Sequence, residues 1–281
     1  MAGRLYLCAT PIGNLDDMTA RAVETLKAVD LIAAEDTRHS GKLLERFGIQ
    51  ARLTALHEHN ESQQAAQLVE KLLDGQSVAL ISDAGTPLVS DPGFRLVRLA
   101  AQEGIRIVPI PGASAVTAAL SVSGLATDRF VFEGFLPAKQ AARRARASEL
   151  AREPRTLVLF ESSHRILAAL EDLEAGFGSE RQAALCREMT KQFETILRGS
   201  LAELRTRLVD EPVQQKGEFV IVVAGHEADT DERVAAGVEM AQALLEFIPA
   251  SQAAKVAAKL TGAPRRTIYD LVTTAARKNM S

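Results

Sequence analysis

Ser77-Val78-Ala79-Leu80-Ile81-Ser82-Asp83-Ala84-Gly85-Thr86-Pro87-Leu88-Val89-Ser90-Asp91-Pro92-Gly93 is the stretch from which the architecture can be read. Ser77–Ile81 ends in an unbroken apolar run of strand length. Such a run, without polar alternation, marks a strand covered on both faces. Residues 82–93 then carry two glycines and two prolines among short polar residues, which reads as a structured loop. Phe94–Gln102 follows with helical spacing and stops before Gly104. Strand, elaborate loop and helix make one βα unit.

Working outward, the same unit recurs. Strands are expected at Leu5–Ala9, Leu31–Ala34, Arg52–Leu56 and Ile105–Ile110, with helices at Thr19–Ala28, Ser40–Phe47, Glu61–Leu73 and Ala113–Ser123. This alternation predicts an N-terminal α/β domain over residues 1–125, its mostly parallel sheet flanked by helices on both faces. A second α/β domain is expected over 126–227. Its strands are Phe130–Glu133, Arg155–Phe160, Gln182–Arg187, Thr195–Arg198 and Phe219–Ala224, and its helices Ala138–Glu153 and Arg165–Leu173. Some of its links are too short for a helical crossover, so its sheet should be mixed. After a polar linker, Ala228–Asp231, residues 228–281 read as a C-terminal helical extension: Glu232–Glu246, Gln252–Leu260 and Arg266–Ala276. The last two flank Thr261-Gly262-Ala263-Pro264, a helix-turn-helix-like hairpin.

The chain has 281 residues, enough for two domains, and 47% of them are hydrophobic. It lacks Trp and is only 4% aromatic, so Leu, Val, Ile and Ala must fill the core. A net charge of −3 argues against a protein basic all over. The charge is unevenly placed, however: residues 251–281 carry +5, with Lys255, Lys259, Arg265 and Arg266 among the cations, which leaves −8 for the rest. A basic tail on an acidic body points to an anionic partner.

Cys8 and Cys186 lie in apolar runs outside any C-x-x-C, so both are expected as buried thiols. No signal peptide is visible and no apolar run is long enough for a membrane span, so a soluble, cytoplasmic protein without a membrane partner is expected. The dinucleotide fingerprint G-x-G-x-x-G, the phosphate loop G-x-x-x-x-G-K-[ST] and the G-x-S-x-G elbow are all missing. His57 and His59 would share a strand face, but no third ligand is near in sequence, and no metal is expected.

Four loops at strand ends are rich in Gly and Pro: Thr10–Leu15, Ser82–Gly93, Pro111–Ala115 and Glu133–Pro137. In open α/β sheets ligands sit outside the carboxyl ends of the strands. Gly and Ala there let a ligand approach the backbone, and Pro sets the loop shape. Such loops suit a flat or neutral ligand better than a triphosphate. Ionisable residues cluster after other strands: Glu35-Asp36-Thr37-Arg38, Glu161-Ser162-Ser163-His164-Arg165 and Arg187-Glu188-Met189-Thr190-Lys191. Unpaired burial of these groups is costly, so they are either paired networks or a wall facing substrate.

Taken in order, Leu5-Tyr6-Leu7 with Thr10–Leu15, Ala34-Glu35-Asp36-Thr37-Arg38, His57-Glu58-His59-Asn60, Ser82–Pro87, Pro111-Gly112, Glu133–Pro137 and Glu161–Arg165 span nearly the whole chain. The set resembles the ribosomal RNA small subunit methyltransferase I family of the tetrapyrrole (corrin/porphyrin) methylase superfamily. Cys8, where an aliphatic residue is more usual, and the small Ala113-Ser114-Ala115 are minor departures. The resemblance implies two α/β domains with a ligand cleft between them and S-adenosylmethionine as methyl donor. It implies as acceptor the 2′-hydroxyl of a cytidine ribose in the decoding region of 16S ribosomal RNA, and a homodimer acting on the small ribosomal subunit. Carried over residue by residue, it places the donor against Ile12, Asp83, Gly85, Thr86, Val89, Ser114 and Ala115, and against Phe160, Glu188 and Gly217 of the second domain.

Methyl transfer from a sulfonium is an in-line displacement, and positioning supplies much of its rate. A ribose hydroxyl is a poor nucleophile, so an acceptor for its proton helps. Glu161, His57, His59 and Glu35 are the candidates, and the sequence does not choose among them. Arg38, Arg165 and Lys191 are candidate phosphate ligands, with Arg143, Arg144 and Arg146 and the basic tail residues Lys255, Arg265 and Arg266 as further RNA contacts. Two other readings compete: a small-molecule tetrapyrrole methylase, which has no use for a basic tail, and a non-catalytic ribosome-assembly factor, which has no use for the loop Asp83–Pro87.

Overall fold

The computed structural model describes residues 2–228 and 230–278. Asp229 of the expected linker lies outside the described residues, as do the side chains of Arg277 and Lys278 in the basic tail. Strands β1 (Arg4–Cys8), β2 (Leu31–Ala34), β3 (Arg52–Ala55), β4 (Val78–Ile81) and β5 (Arg106–Ile110) form one sheet in the order β3-β2-β4-β1-β5. Every pairing in it is parallel. Helices α1 (Ala20–Ala28), α2 (Thr37–Arg46), α3 (Glu61–Leu73) and α4 (Phe94–Gln102) connect the strands.

Strand alternation explains the unbroken apolar run of β4. Val78 and Leu80 pack with Leu68 and Leu72 of α3 and Leu96 of α4 on one face. Ala79 and Ile81 pack with Leu26 of α1 and Leu44 of α2 on the other. The chain therefore leaves β1 toward one face and β4, its neighbour, toward the opposite face. Their outgoing loops diverge, and a crevice opens between them at the carboxyl ends. Thr10 and Gly85 span its base with reciprocal backbone bonds of 2.9 and 3.0 Å.

Helix α5 (Ala115–Ser123) follows β5 but does not return to the first sheet. Its Val116, Ala119 and Leu120 pack on Val158, Ala184, Val220 and Val222 of a second sheet. That sheet holds β6 (Phe130–Phe135), β7 (Thr156–Ser162), β8 (Gln182–Arg187), β9 (Thr195–Ser200) and β10 (Glu218–Val223) in the order β6-β7-β10-β8-β9. Only β6 and β7 run parallel, so the sheet is mixed as expected. Its other face is covered by α6 (Gln140–Leu150), α7 (Ile166–Phe177) and α8 (Leu201–Asp210), packed over Leu157, Leu159, Leu185 and Ile221. Through α5 the two sheets join into one compact unit ending at Gly225.

The remaining residues, from His226, form a separate unit. Helices α9 (Thr230–Leu244), α10 (Ala250–Thr261) and α11 (Arg265–Lys278) enclose a small core of Ala241, Ala253, Ala254, Ala257, Ile268 and Val272. Gly262, at φ 71°, ends α10 in the left-handed conformation and makes the hairpin turn. Lys255, Lys259, Arg265 and Arg266 are exposed on this unit.

Three local features differ from the sequence reading. Helix α8 is additional, and its signal is the capping box Ser200-x-x-Glu203, in which each side chain accepts the other residue's N–H. Helix α2 begins at Thr37 rather than Ser40, because the Asp36 carboxylate accepts the N–H groups of Arg38 and His39. Strand β6 continues past Glu133 to Phe135 through a bulge at Gly134, whose φ of +70° suits glycine.

The assignment of Arg143 to RNA is overturned. Arg143 is buried, and its Nε donates to Asp172 Oδ2 at 2.7 Å while Arg144 Nε donates to Oδ1 at 2.6 Å. Arg146 is held by Glu133 at 2.5 Å and by Glu149 at 2.7 Å. Arg143 thus spends its charge on pinning α6 to α7, while Arg144 and Arg146 make their ion pairs from side chains still partly exposed. Burial pushes the Asp172 carboxyl up, but hydrogen bonds from Arg144 and Arg143 outweigh it and hold the group below its usual range. Asp172→Ala should cost about 3 kcal/mol in urea denaturation at neutral pH, since it strands a buried guanidinium. A carboxyl depressed in the folded state stabilises above the ordinary aspartate value of about 3.9 and loses that contribution as pH falls through its folded value. The gap between wild type and variant should therefore close in acid, and a gap constant down to pH 2 would contradict the assignment.

Candidate active site

Four strand-end loops meet on a cavity of about 340 Å³. The first sheet contributes Ile12 after β1, Gly85, Thr86, Val89, Ser90 and Asp91 after β4, and Ser114 and Ala115 after β5. The second sheet contributes Phe135 from β6, Phe160, Glu161 and Ser162 from β7, Cys186, Met189 and Lys191 from and after β8, and Glu218, Phe219 and Val220 from β10. Strands β7 and β8 both run antiparallel to β10, which brings the ends of β7 and β8 and the start of β10 to one edge of the sheet. The volume lies in the range of small-molecule sites, and the walls are mainly apolar, as such sites are.

Glycine is required where the loops approach one another. Gly85 has φ +82°, and a Cβ there would lie 3.3 Å from the Ile12 side chain. A Cβ on Gly13 would lie 2.4 Å from Lys191 Cγ and 3.0 Å from the Met189 carbonyl. The first loop thus abuts the loop after β8, and Asn14 N–H donates to Thr190 Oγ1 at 3.1 Å across the contact. Leu88, Ser90, Glu188 and Thr190 all take positive φ, so non-glycine strain gathers in the two loops on either side of the cleft. Thr86 Oγ1 donates to the Ala113 carbonyl at 3.1 Å and ties the second loop to the third.

Of the expected donor residues, Ile12, Gly85, Thr86, Val89, Ser114, Ala115 and Phe160 line this one cavity. Asp83 lies in the wall of an adjoining groove instead, where it accepts the Asp36 N–H at 3.2 Å. Glu188 and Gly217 line neither the cavity nor the groove. Glu188 Oε1 accepts from Lys191 Nζ at 2.9 Å and from Glu218 N–H at 2.9 Å, and Gly217 leaves room for the Glu188 side chain. Burial pushes the Glu188 carboxyl up, but these two bonds outweigh it and hold the group below its usual range. Lys191, expected as a phosphate ligand, also donates to Glu218 at 2.7 Å and lines both the cavity and the groove.

The candidate bases separate. Glu161 is buried, with Oε1 accepting the Ser162 N–H at 2.8 Å and Oε2 3.3 Å from Arg165. Strand alternation groups it with Leu157 and Leu159 on the face covered by α6 to α8, yet at the end of β7 it also lines the cavity. Arg165 in turn donates to the Leu136 and Pro137 carbonyls at 2.5 and 3.3 Å. The pair braces the fourth loop, and Glu161 at the same time lines the cavity, its Oε2 facing Arg165 without a hydrogen bond among the described residues. His57 and His59 follow the edge strand β3 with ring centroids 6.1 Å apart, and neither lines the cavity or the groove. Glu35 follows β2, is half-buried and lines neither the cavity nor the groove. Its carboxyl is raised by burial and then by the charges of Asp91, Asp83 and Asp36. Asp91, absent from the sequence-based candidates, lines the cavity, and burial followed by the Asp83 charge raises it too, against a hydrogen bond from Ser82. Its signal was in the sequence, as the second acid of the Ser82–Gly93 loop.

Cys186 and Cys8 are buried free thiols, pushed by burial to about 11 and about 12. Among the described residues no three His, Cys, Asp or Glu side chains are placed to hold a metal ion, and no helix is long and apolar enough to cross a membrane.

Residues 4–205 match the family of Tetrapyrrole (Corrin/Porphyrin) Methylases, and residues 231–275 match the RsmI C-terminal HTH domain. The chain is 54% identical to the ribosomal RNA small subunit methyltransferase I of Xylella fastidiosa (strain Temecula1 / ATCC 700964), over 95% of this chain and 98% of that one. It belongs to the ribosomal RNA small subunit methyltransferase I family. The family member from Haemophilus influenzae is 51% identical, with 96% of each chain covered. Among solved structures, a diphthine synthase superposes with a TM-score of 0.59 at 19% identity, covering 82% of this chain and 93% of that one. A uroporphyrin-III C-methyltransferase from Thermus thermophilus, complexed with S-adenyl homocysteine, superposes at 0.54 and 18% identity, covering 79% and 97%. Both likenesses are of fold.

The cavity of this family member suits S-adenosylmethionine. Phe160 meets Phe132 and Phe135 edge-on at 4.9 and 5.7 Å, which leaves an aromatic and aliphatic wall for a flat purine. Lys191 and the Glu218 carboxylate offer both signs of charge for a zwitterionic amino-acid end. Gly13→Ala should drive the first loop from the β8 loop and weaken S-adenosylmethionine binding about tenfold by titration calorimetry. Unchanged affinity would show that the loop contact does not shape the cavity.

Proposed function

We propose that this chain transfers a methyl group from S-adenosylmethionine to the 2′-hydroxyl of a cytidine ribose in the decoding region of 16S ribosomal RNA. The observation that carries the reading is end-to-end identity of 54% with a ribosomal RNA small subunit methyltransferase I. The cavity between two sheets, formed where four Gly/Pro loops converge, supports a small-molecule donor. The unevenly placed charge supports a nucleic-acid acceptor. The reading includes a cytoplasmic homodimer acting on the small ribosomal subunit.

The donor supplies an electrophilic methyl group. The chain's residues do the rest. Ile12, Gly85, Thr86, Val89, Ser114, Ala115 and Phe160 hold the donor, and Asp83, Glu188 and Gly217 support the loops around it. The acceptor's proton goes to the first-sheet carboxylates: Asp91 in the cavity wall, with Glu35 beside it. Both are raised toward the basicity such a step needs. Exposed Lys255, Arg265 and Arg266 on the C-terminal helices, and Arg38 at the start of α2, bind RNA phosphates.

Purified protein, methyl-labelled S-adenosylmethionine and small ribosomal subunits from a strain lacking the enzyme should give one modified cytidine, labelled on its ribose. Label on a base, or on an added porphyrinoid, would overturn the reading. Asp91→Asn should lower kcat at least a hundredfold with donor affinity within threefold, whereas His57→Ala should leave turnover within twofold. Full activity in both Asp91→Asn and Glu35→Gln would remove the first-sheet carboxylates from the reaction. Deleting residues from Ser251 onward should weaken RNA binding and flatten its salt dependence, and an unchanged salt series would refute that role for the tail.

A further inference from the structure

Beside the donor cavity lies a groove of about 390 Å³. The two share Ile12, Ala84, Lys191 and Glu218, so these residues form the divide between them. The far wall of the groove is α2, which contributes His39, Lys42, Leu43 and Arg46. Their spacing of three and four residues puts all of them on one helix face. Ser40 and Leu44 are buried on the other side, with Leu44 packed among Leu26, Ile49 and Ile81, so the sheet fixes the rotation of the helix. The Asp36 cap fixes its start.

His39, Lys42 and Arg46 are exposed, and among the described residues Lys42 and Arg46 make no ion pair. The helix dipole favours Arg46, in the last turn, but disfavours a cation at His39 in the first turn and is indifferent to Lys42 mid-helix. Helix stability therefore does not explain the stripe. The groove's acids lie at its other side: Glu218 is taken by Lys191 at 2.7 Å, and Asp83 accepts the Asp36 N–H. A ligand in the groove would meet cations on one wall and the donor cavity beyond the other.

We propose that this groove holds the sugar–phosphate backbone of the acceptor RNA strand, with His39, Lys42 and Arg46 on its phosphates. The reacting ribose then sits at the divide of Ile12, Ala84, Lys191 and Glu218. The proposal rests on the reading of the chain as a ribosomal RNA methyltransferase and adds to it the path of the strand. From His39 to Arg46 the stripe is about 10 Å long. A stacked strand presents a phosphate about every 3.4 Å, so the stripe faces about three of them.

The test compares wild type with the double variant Lys42→Gln/Arg46→Gln, the charge-keeping variant Lys42→Arg/Arg46→Lys, and Lys71→Gln, which removes a cation from α3 on the opposite face of the sheet. The readouts are anisotropy of a fluorescent single-stranded RNA oligonucleotide over a salt series, methyl transfer to unmethylated small subunits, and calorimetry with S-adenosylmethionine. In the double variant RNA Kd should rise about tenfold, and the slope of log K against log salt should shrink by about 1.4, at about 0.7 per single-strand phosphate lost. KM for subunits should rise in parallel while kcat and donor affinity stay within twofold. The charge-keeping variant and Lys71→Gln should behave as wild type. Unchanged RNA affinity and salt slope in the double variant would overturn the proposal, as would polyglutamate competing as well as RNA. If the double variant loses RNA binding but wild type methylates no subunit, the groove stands and the proposed substrate falls.

Discussion

The packing of α5 on the second sheet is the contact on which the rest depends. Val116, Ala119 and Leu120 come from a helix that belongs, by chain order, to the first sheet, yet they are buried on Val158, Ala184, Val220 and Val222. A helix returning to the first sheet would leave the face of β7, β10 and β8 uncovered. Because α5 crosses over, the carboxyl ends of β1, β4 and β5 are held against that face, and Ile12, Val89 and Phe160 join the same apolar cluster. The cavity is the space this cluster leaves unfilled. Its shape follows from the same apolar burial that holds the two sheets together.

A second constraint is electrostatic. The sheet ends bring many ionisable groups together, and the protein divides them by function. Arg143, Arg144 and Asp172, with Arg146 and Glu133, are spent on fixing α6. Glu161 and Arg165 brace the fourth loop. Lys191 is bound by Glu188 and Glu218 but still borders the cavity. What remains open is an acidic corner of Glu35 and Asp91 on one side and a cationic helix face on the other. Acids on one side of a divide and cations on the other match the proposed methylation of a polyanionic acceptor.

Much of this was legible in the chain. The apolar run Val78–Ile81 announced a strand buried on both faces, and the punctuation of residues 82–93 announced a structured loop, which lines the cavity, because both signals are local. The capping box at Ser200 and Glu203 was local too and still passed unread behind the short strand before it. Glu161 was ambiguous for a physical reason: an acid at a strand end reads the same whether it braces a loop or borders a cavity, and in the fold it does both. Arg143 misled, since a run of arginines looks basic until a buried aspartate from another helix claims it.

The sequence by itself determined the βα repeats, the Gly/Pro loops that line the cavity, the family and the separation of a basic tail from an acidic body. Those properties reside in residues close along the chain, where spacing, Gly and Pro speak directly through φ, ψ and helix or strand period. The tertiary structure alone decided which charges are paired, that α5 crosses to the second sheet, and that α2 walls a groove beside the donor cavity. Pairing and burial depend on residues tens of positions apart, as with Arg143 and Asp172, and whether a charged side chain is neutralised or left for a ligand is settled only when those distant partners meet.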